Sequence, residues 1–212
     1  MATGSAGDDA LASGWRHLPG WLSPVRQRAL LAEIRAVIAA APLLRPTMPR
    51  SGKPFSVLMT NCGTLGWVSD RDGGYRYQST HPETGRPWPP IPDLLGEVWD
   101  AVAGYRAPPE ACLVNYYAAG AKLGSHRDED EDDARAPVVS VSLGDDATFH
   151  IAGARRADAK RRLLLRSGDV FVLGGAARDF YHGIDRIHPS TADLLAEGGR
   201  FGLTLRRVTS PR

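Results

Sequence analysis

The sequence predicts an α+β chain in which helices and an irregular cover precede a β domain of sandwich, barrel or jelly-roll type. Three observations carry this. Apolar residues recur at helical spacing in two windows, near residues 25–38 and 94–102. Between them, residues 42–92 are rich in Gly, Pro and aromatics and hold little regular periodicity. From Ala111 onward, short strand-like runs are separated by turn residues, the texture of a two-layered or closed β structure.

Taken in order, residues 1–14 carry Asp8 and Asp9 among small residues and read as a loose tail, without the basic start and apolar stretch of a signal peptide. Ser23 and Pro24 supply a cap and a proline for the first helical position. Val25, Leu30, Leu31, Ile34, Val37 and Ile38 then form one apolar face, and Pro42 ends the helix. The cover holds strand candidates at 55–60 and 74–78, and a segment this irregular is often placed over a site. A second helix starts near Pro92, puts Leu94, Leu95, Val98, Trp99 and Val102 on one stripe, and stops at Gly104. Strands are expected at 113–117, 138–143, 148–151, 162–165, 170–173, 180–182 and 201–207. The expected organisation is thus a tail over 1–14, helices and cover over 15–110, and a β core over 111–208, in one domain overall.

At 212 residues and 42% apolar content, the chain suits one domain with a sizeable core. A formal charge of only +2, with a pI near 8.7, means that a polyanionic partner must be met by a local basic patch. Cys62 and Cys112 are too few for a disulfide framework and lack the paired spacing of a zinc site, which suits a reducing compartment. The longest apolar run falls far short of a membrane span. A cytoplasmic monomer without membrane contact is the expectation.

His126-Arg127-Asp128 is a His-x-Asp pair, and on a strand residues two apart point to the same side and can grip one ion. Composition alone predicts roughly 0.5 such pairs by chance, so the pair needs company. His182, within Phe180-Tyr181-His182-Gly183, offers a second imidazole and completes a two-His, one-carboxylate set of the type that suits non-haem iron(II). A surface His beside an acidic stretch is the plain alternative. Asp128, Asp130 and Asp132 alternate like calcium ligands, but Asp133 and Val139 stand where a calcium loop needs Gly and Glu. His81-Pro82-Glu83 imitates a chelating pair, although Pro82 and Gly85 mark it as a turn.

Near the C-terminus, Phe201, Leu203 and Leu205 alternate with Arg200, Gly202, Thr204 and Arg206. The two arginines therefore share a face, with Cα atoms roughly 20 Å apart. Two converging guanidinium side chains would leave a gap of about 6 Å, near the carboxylate separation of a five-carbon diacid. A solvated strand face is the alternative.

Asn115-Tyr116-Tyr117, Gly120-Ala121-Lys122-Leu123, His126-x-Asp128-x-Asp130, Val139-Ser140-Val141-Ser142-Leu143-Gly144, Gly168-Asp169-Val170, Tyr181-His182-Gly183 and Arg200-x5-Arg206 follow one another in an order that resembles the AlkB dioxygenase family. Upstream, Met59-Thr60-Asn61-Cys62-Gly63 and Trp67 extend the resemblance, so residues 15–208 are covered. It implies a double-stranded β-helix (jelly roll, cupin-like) with N-terminal helices and a nucleotide-recognition lid. It also implies iron(II) on His126, Asp128 and His182, and 2-oxoglutarate held by Arg200 and Arg206, with Asn115, Tyr117 and Thr204 in the co-substrate pocket. Gly202 stands where such relatives usually carry Asn, so one co-substrate hydrogen bond is expected to be missing or replaced by water. Trp67 is expected to stack on a flipped base opposite His126, Tyr75 to touch phosphate, and Asp130 to read the exocyclic amine.

The activity implied is oxidative dealkylation of 1-methyladenine and 3-methylcytosine in DNA, with RNA left open as a second substrate. It couples 2-oxoglutarate and O2 to succinate, carbon dioxide and formaldehyde, with the target base taken out of the stack. Residues 155–166 add six cations, Arg156 among them, against Asp158, a stripe able to track phosphates or simply to stay solvated. Two other classes stay open: a dioxygenase acting on a small molecule or protein side chain, and a nucleic-acid-binding module that has lost catalysis.

Overall fold

The computed structural model describes residues 14–211, so the tail expected over 1–14 lies outside the described residues apart from Gly14. Helix α1 (Pro24–Ala40) begins where the cap chemistry places it. Ser23 is extended, its Oγ accepts from the Arg26 N–H at 3.4 Å, and Pro24 occupies the first turn. Leu30, Leu31, Ile34 and Val37 are buried along one side, and Pro42 cannot continue the ladder. Helix α2 (Asp93–Val102) buries Leu95, Val98, Trp99 and Val102, and Gly104 follows it at φ 61°, a left-handed position that glycine takes without strain.

Three strands come from the N-terminal half around the lid: β2 (Leu58–Gly63), β3 (Gly66–Asp70) and β4 (Gly74–Gln78), after a short β1 (Trp15–Leu18). Eight more follow: β5 (Ala111–Tyr117), β6 (Leu123–His126), β7 (Val138–Gly144), β8 (Asp146–Ile151), β9 (Arg161–Leu165), β10 (Val170–Leu173), β11 (His182–His188) and β12 (Arg200–Arg206). They form a six-stranded sheet in the order β1-β10-β7-β12-β5-β2 and a four-stranded sheet in the order β6-β11-β8-β9, with β3 and β4 as a separate hairpin. All pairings are antiparallel. Between β5 and β12 the chain passes back and forth between the two sheets, which is the jelly-roll arrangement of a double-stranded β-helix.

Four expectations shift. Residues 15–110 hold more than helices and a cover, because β1 and β2 extend the large sheet at both edges. β2 lies three residues later than the run at 55–60; Phe55 and Ser56 instead spend their hydrogen bonds on Pro46 and Lys122 in a bend. β3 falls in a Gly-rich stretch with no clean alternation. β11 begins at His182, where the run expected at 180–182 ends, and continues to His188; a register shift between Ile184 and Arg186 breaks the period-two pattern that would reveal it.

The two faces of β12 explain the layers. Phe201, Leu203 and Leu205 pack with Cys112, Val114, Val139 and Val141 against Leu30, Ile34 and Trp99 of the helices. Each large side chain buried there contributes about 1.5–3 kcal/mol. The opposite face carries Arg200, Gly202, Thr204 and Arg206 into the space between the sheets, closed on the other side by Phe149, Leu165 and Ile184. Among the described residues no helix is long and apolar enough to cross a membrane.

Candidate active site

β6 stops at His126, so Asp128 reaches the site from the loop beyond rather than from a continuous strand face, a correction to the period-two reading. His182 opens β11 and pairs in register with His126, bringing the two rings to a centroid distance of 4.5 Å. One ligand atom from each of His126, Asp128 and His182 lies within 4.8 Å of the others, and no other such group is found among the described residues. The His126 Nδ1–H donates to Gly124 O at 2.9 Å and the His182 Nδ1–H to Phe180 O at 3.0 Å. Both protons are thereby held on Nδ1, and both Nε2 lone pairs are left to face Asp128. They stand 3.7 and 3.6 Å from its carboxylate oxygens, too far for hydrogen bonds.

The electrostatics fit a cation. Asp128 Oδ2 is buried without any hydrogen-bond partner, an orphaned anionic oxygen beside two neutral lone pairs. Burial pushes the Asp128 carboxyl up, but the guanidinium of Arg206, with Arg178 behind it, outweighs this and holds the group ionised, well below the usual range. Burial also pushes the His182 imidazole down to about 4, so it is neutral and able to ligate at pH 7. Two imidazoles and one carboxylate, with the remaining directions open to a cavity of about 660 Å³, suit iron(II).

That cavity takes in the expected co-substrate residues. Asn115, Tyr117, Arg200, Thr204 and Arg206 all line it. Arg200 is buried and donates to Ser142 Oγ at 2.5 Å and to the carbonyls of Asp145 at 3.1 Å and Leu165 at 3.3 Å. Desolvation pulls it down only to about 10, so the guanidinium keeps its charge at neutral pH. Burial pushes the Tyr117 hydroxyl up to about 12. Thr204 Oγ1 lies 3.3 Å from Ser140 Oγ, and Gly202 sits opposite Asn115, whose buried Oδ1 has no partner.

Arg206 is the surprise. It does not simply converge with Arg200. It donates to Asp128 Oδ1 at 2.7 Å and to Glu131 Oε1 at 2.5 Å, while Glu131 Oε2 accepts from Arg178 at 2.8 Å. Arg178 also donates to the Asp128 carbonyl at 2.6 Å. Glu131 and Arg178 were missed because both read as ordinary surface charges, Glu131 within an acidic run and Arg178 in a short 3-10 turn (Gly175–Asp179). Ser142 was seen only as part of a β motif, with nothing in the pattern to mark it as the partner of Arg200.

At the cavity mouth the expected base-binding residues meet. The Trp67 Nε1–H donates to Asp130 Oδ2 at 2.7 Å, and Tyr75 stacks on the indole with centroids 5.4 Å apart. Asp130 is exposed, on a loop rather than on an extension of β6, so it does not share a strand face with His126. Arg156 donates to Ser125 O at 2.6 Å and lies over the ring of Tyr181, which Arg127 also approaches. The rest of the basic stripe is partly paired: Arg155 with Asp158 at 2.9 Å and Arg162 with Asp185 at 3.0 Å. His81 serves its turn, with Nδ1 accepting from the backbone of Glu83 and Thr84.

Residues 14–206 match the family model of the 2OG-Fe(II) oxygenase superfamily. The chain is 50% identical over 195 residues to an alpha-ketoglutarate-dependent dioxygenase AlkB homolog of Caulobacter vibrioides, covering 92% of this chain and 88% of that one. It is 45% identical over 187 residues to alpha-ketoglutarate-dependent dioxygenase AlkB of Escherichia coli, covering 84% and 83%. The solved structure of OsALKBH1 superposes with a TM-score of 0.75 at 32% identity, over 92% of this chain and 98% of that one. With its jelly roll, its two-His, one-carboxylate cluster and its paired arginines, the chain belongs to the iron(II)- and 2-oxoglutarate-dependent oxygenases, within the AlkB dioxygenases.

Proposed function

We propose that this enzyme removes alkyl groups from N1 of adenine and N3 of cytosine in nucleic acid. The observation that carries the reading is the aromatic wall of Trp67, edged by the carboxylate of Asp130, at the mouth of the cavity that ends in His126, Asp128 and His182. A flat cationic base, flipped from its stack, has there a face to stack on and a negative group for its charge and its exocyclic amine.

In this reading His126, Asp128 and His182 hold iron(II). Arg200 and Arg206 hold the two carboxylates of 2-oxoglutarate, with Asn115, Tyr117 and Thr204 around it. Iron and 2-oxoglutarate together supply the O2-dependent oxidation of the N-alkyl carbon, with succinate, carbon dioxide and, for a methyl group, formaldehyde as products. Trp67 stacks on the base, Asp130 selects its charge, and Tyr75 and Arg156 take phosphate. A monomer of the cytoplasm belongs to the same reading, supported by two buried free cysteines.

Two relatives matched over less than half of this chain frame the choice of nucleic acid. One is named a DNA N(6)-methyladenine demethylase in Arabidopsis thaliana, 41% identical over 103 residues, and the other a tRNA demethylase in Schizosaccharomyces pombe, 37% identical over 92. DNA is the principal substrate proposed and RNA the second. The test is mass spectrometry of DNA and RNA oligonucleotides with defined lesions, incubated with iron(II), 2-oxoglutarate and O2, beside a His182→Ala control. Loss of the methyl group with matched succinate formation is expected, and none from the control. Succinate formed without change in any oligonucleotide would move the substrate to a small molecule or protein side chain.

A further inference from the structure

The lid hairpin is tied to the metal loop at two adjacent residues. Trp67 and Tyr77 are cross-strand partners in the β3-β4 hairpin. Trp67 donates to Asp130, and the Tyr77 hydroxyl donates to Glu131 Oε1. Glu131 has a fully buried side chain, and its Oε1 accepts from Arg206 as well. Arg206 in turn donates to the carboxylate of Asp128. One unbroken set of charge-assisted contacts therefore runs from the residue opposite the base-stacking indole to the co-substrate arginine and the metal carboxylate. Nothing in the reaction itself requires Tyr77, yet the hydroxyl is held out of water against a carboxylate, and burial pushes it well above its ordinary range.

We propose that Tyr77 is a positioning residue that latches the hairpin to Arg206 through Glu131, so that 2-oxoglutarate and nucleic acid tighten each other's binding. This rests on the dealkylation reading above. The sign follows from shared charge. Glu131 Oε1 divides its negative charge between the Tyr77 hydroxyl and Arg206, and Arg206 still has a buried Nε–H without a partner. A co-substrate carboxylate at Arg206 draws on the same guanidinium, and Glu131 then leans harder on Tyr77. The hairpin is held more firmly, Trp67 with it, and an ordered aromatic wall binds a base at lower entropic cost. Linkage makes the effect reciprocal: bound nucleic acid must tighten 2-oxoglutarate by the same factor.

Removing Glu131 would leave Arg178 buried without a counter-charge and Arg206 with Asp128 alone, and would endanger the fold. Tyr77→Phe is the better variant, since it deletes one hydroxyl, keeps the ring, and leaves Glu131 paired with both arginines. The full chain, loaded with iron(II) and kept anaerobic, is titrated with an oligonucleotide carrying 1-methyladenine, with and without 2-oxoglutarate. The co-substrate should tighten oligonucleotide binding about tenfold in the unsubstituted enzyme and no more than about twofold in Tyr77→Phe. In parallel, 2-oxoglutarate should slow amide hydrogen exchange across residues 66–78 in the unsubstituted enzyme and not in the variant.

Full coupling and full exchange protection in Tyr77→Phe would overturn the latch. So would uniformly weaker binding with the coupling factor intact, because that is the mark of a merely structural residue. A chain that binds no methylated oligonucleotide would defeat the dealkylation reading instead. The exchange measurement then decides the latch by itself: protection lost in the variant supports it, and protection kept overturns it.

Discussion

Gly202→Asn should tighten 2-oxoglutarate binding. Gly202 lies on β12 between Arg200 and Thr204, facing the cavity, with Asn115 and Ser142 as its cross-strand partners. A Cβ added there meets only Tyr117 Cε2, at 3.4 Å, and Gly202 is not among the positive-φ glycines, so a side chain enters without backbone strain. The new amide lies beside the co-substrate space and beside Asn115 Oδ1, an acceptor buried without a partner. One added hydrogen bond to the co-substrate contributes about 0.5–1.5 kcal/mol, which lowers the Kd about 2- to 12-fold. Satisfying Asn115 and removing a glycine from a strand interior should together add about 1 kcal/mol of stability, a rise in Tm of roughly 2–4 °C. Anaerobic calorimetric titration of 2-oxoglutarate into the iron-loaded protein measures the first effect and a thermal melt the second. An unchanged or weaker Kd with a raised Tm would mean that the amide turns to Asn115 alone, and would refute a missing co-substrate contact at Gly202.

Arg200→Ala should raise the 2-oxoglutarate KM at least about tenfold with a smaller effect on kcat, because it deletes a charged contact to the diacid; an unchanged KM would reduce Arg200 to a support for Ser142. Asp130→Asn keeps an acceptor for the Trp67 indole and removes only the charge, so kcat/KM for 1-methyladenine and 3-methylcytosine should fall about tenfold relative to neutral 1-methylguanine. Equal losses across the three lesions, in one oligonucleotide context at fixed salt, would reject charge reading by Asp130. Asp169 provides a pH test of the fold. Burial pushes its carboxyl up, but the His17 ring and the Arg166 and Gly20 N–H groups outweigh that and hold it below the usual range. A depressed folded-state pKa contributes stability above the unfolded value of about 3.9, lost as pH falls through the folded value. Asp169→Asn should therefore cost about 2 kcal/mol at pH 7 in urea unfolding, with the gap from the unsubstituted protein closing below about pH 4. A constant gap would mean that packing rather than charge is lost.

Strong local chemistry was legible in the sequence. Ser23 and Pro24 set the start of α1 because a cap and a proline act within one turn, and the unbroken alternation of Phe201, Leu203 and Leu205 with polar residues sorted β12 into two faces while leaving open whether the arginine face points inward. The ends of strands were not. β6 stops at His126, and beyond it Arg178 holds the Asp128 carbonyl from 50 residues away, a tertiary contact that no spacing rule contains. Of the site, the three residues of the metal cluster and the cavity-lining arginines were visible as residue types in a pattern. Glu131, Arg178 and Tyr77 were not, since a buried charge looks like an exposed one until its counter-charge, here 75 residues away in Arg206, is placed beside it.

The stop at His126 is what allows one acidic segment to do three different things. On a continued strand, Asp128 and Asp130 would lie on the same side, and two carboxylates next to one metal would each raise the other's pKa. The loop separates them instead. Asp128 turns inward to face His126 and His182, and Arg206 offsets its desolvation. Asp130 turns to the mouth, exposed, where among the described residues its side chain is hydrogen-bonded to Trp67 alone and its charge remains open to an arriving cation. Glu131 turns inward again and is neutralised by Arg178 and Arg206. Asp128 and Glu131 are offset by two guanidiniums, Arg206 bridging both and Arg178 adding to Glu131, whereas Asp130 has no such partner among the described residues. Glu129 lines the same mouth but is paired with Arg127, so the unpaired negative charge that a cationic base meets there is that of Asp130, while the charge beside the metal is offset by Arg206, and selectivity for damage can be altered at the mouth without disturbing the ligand set.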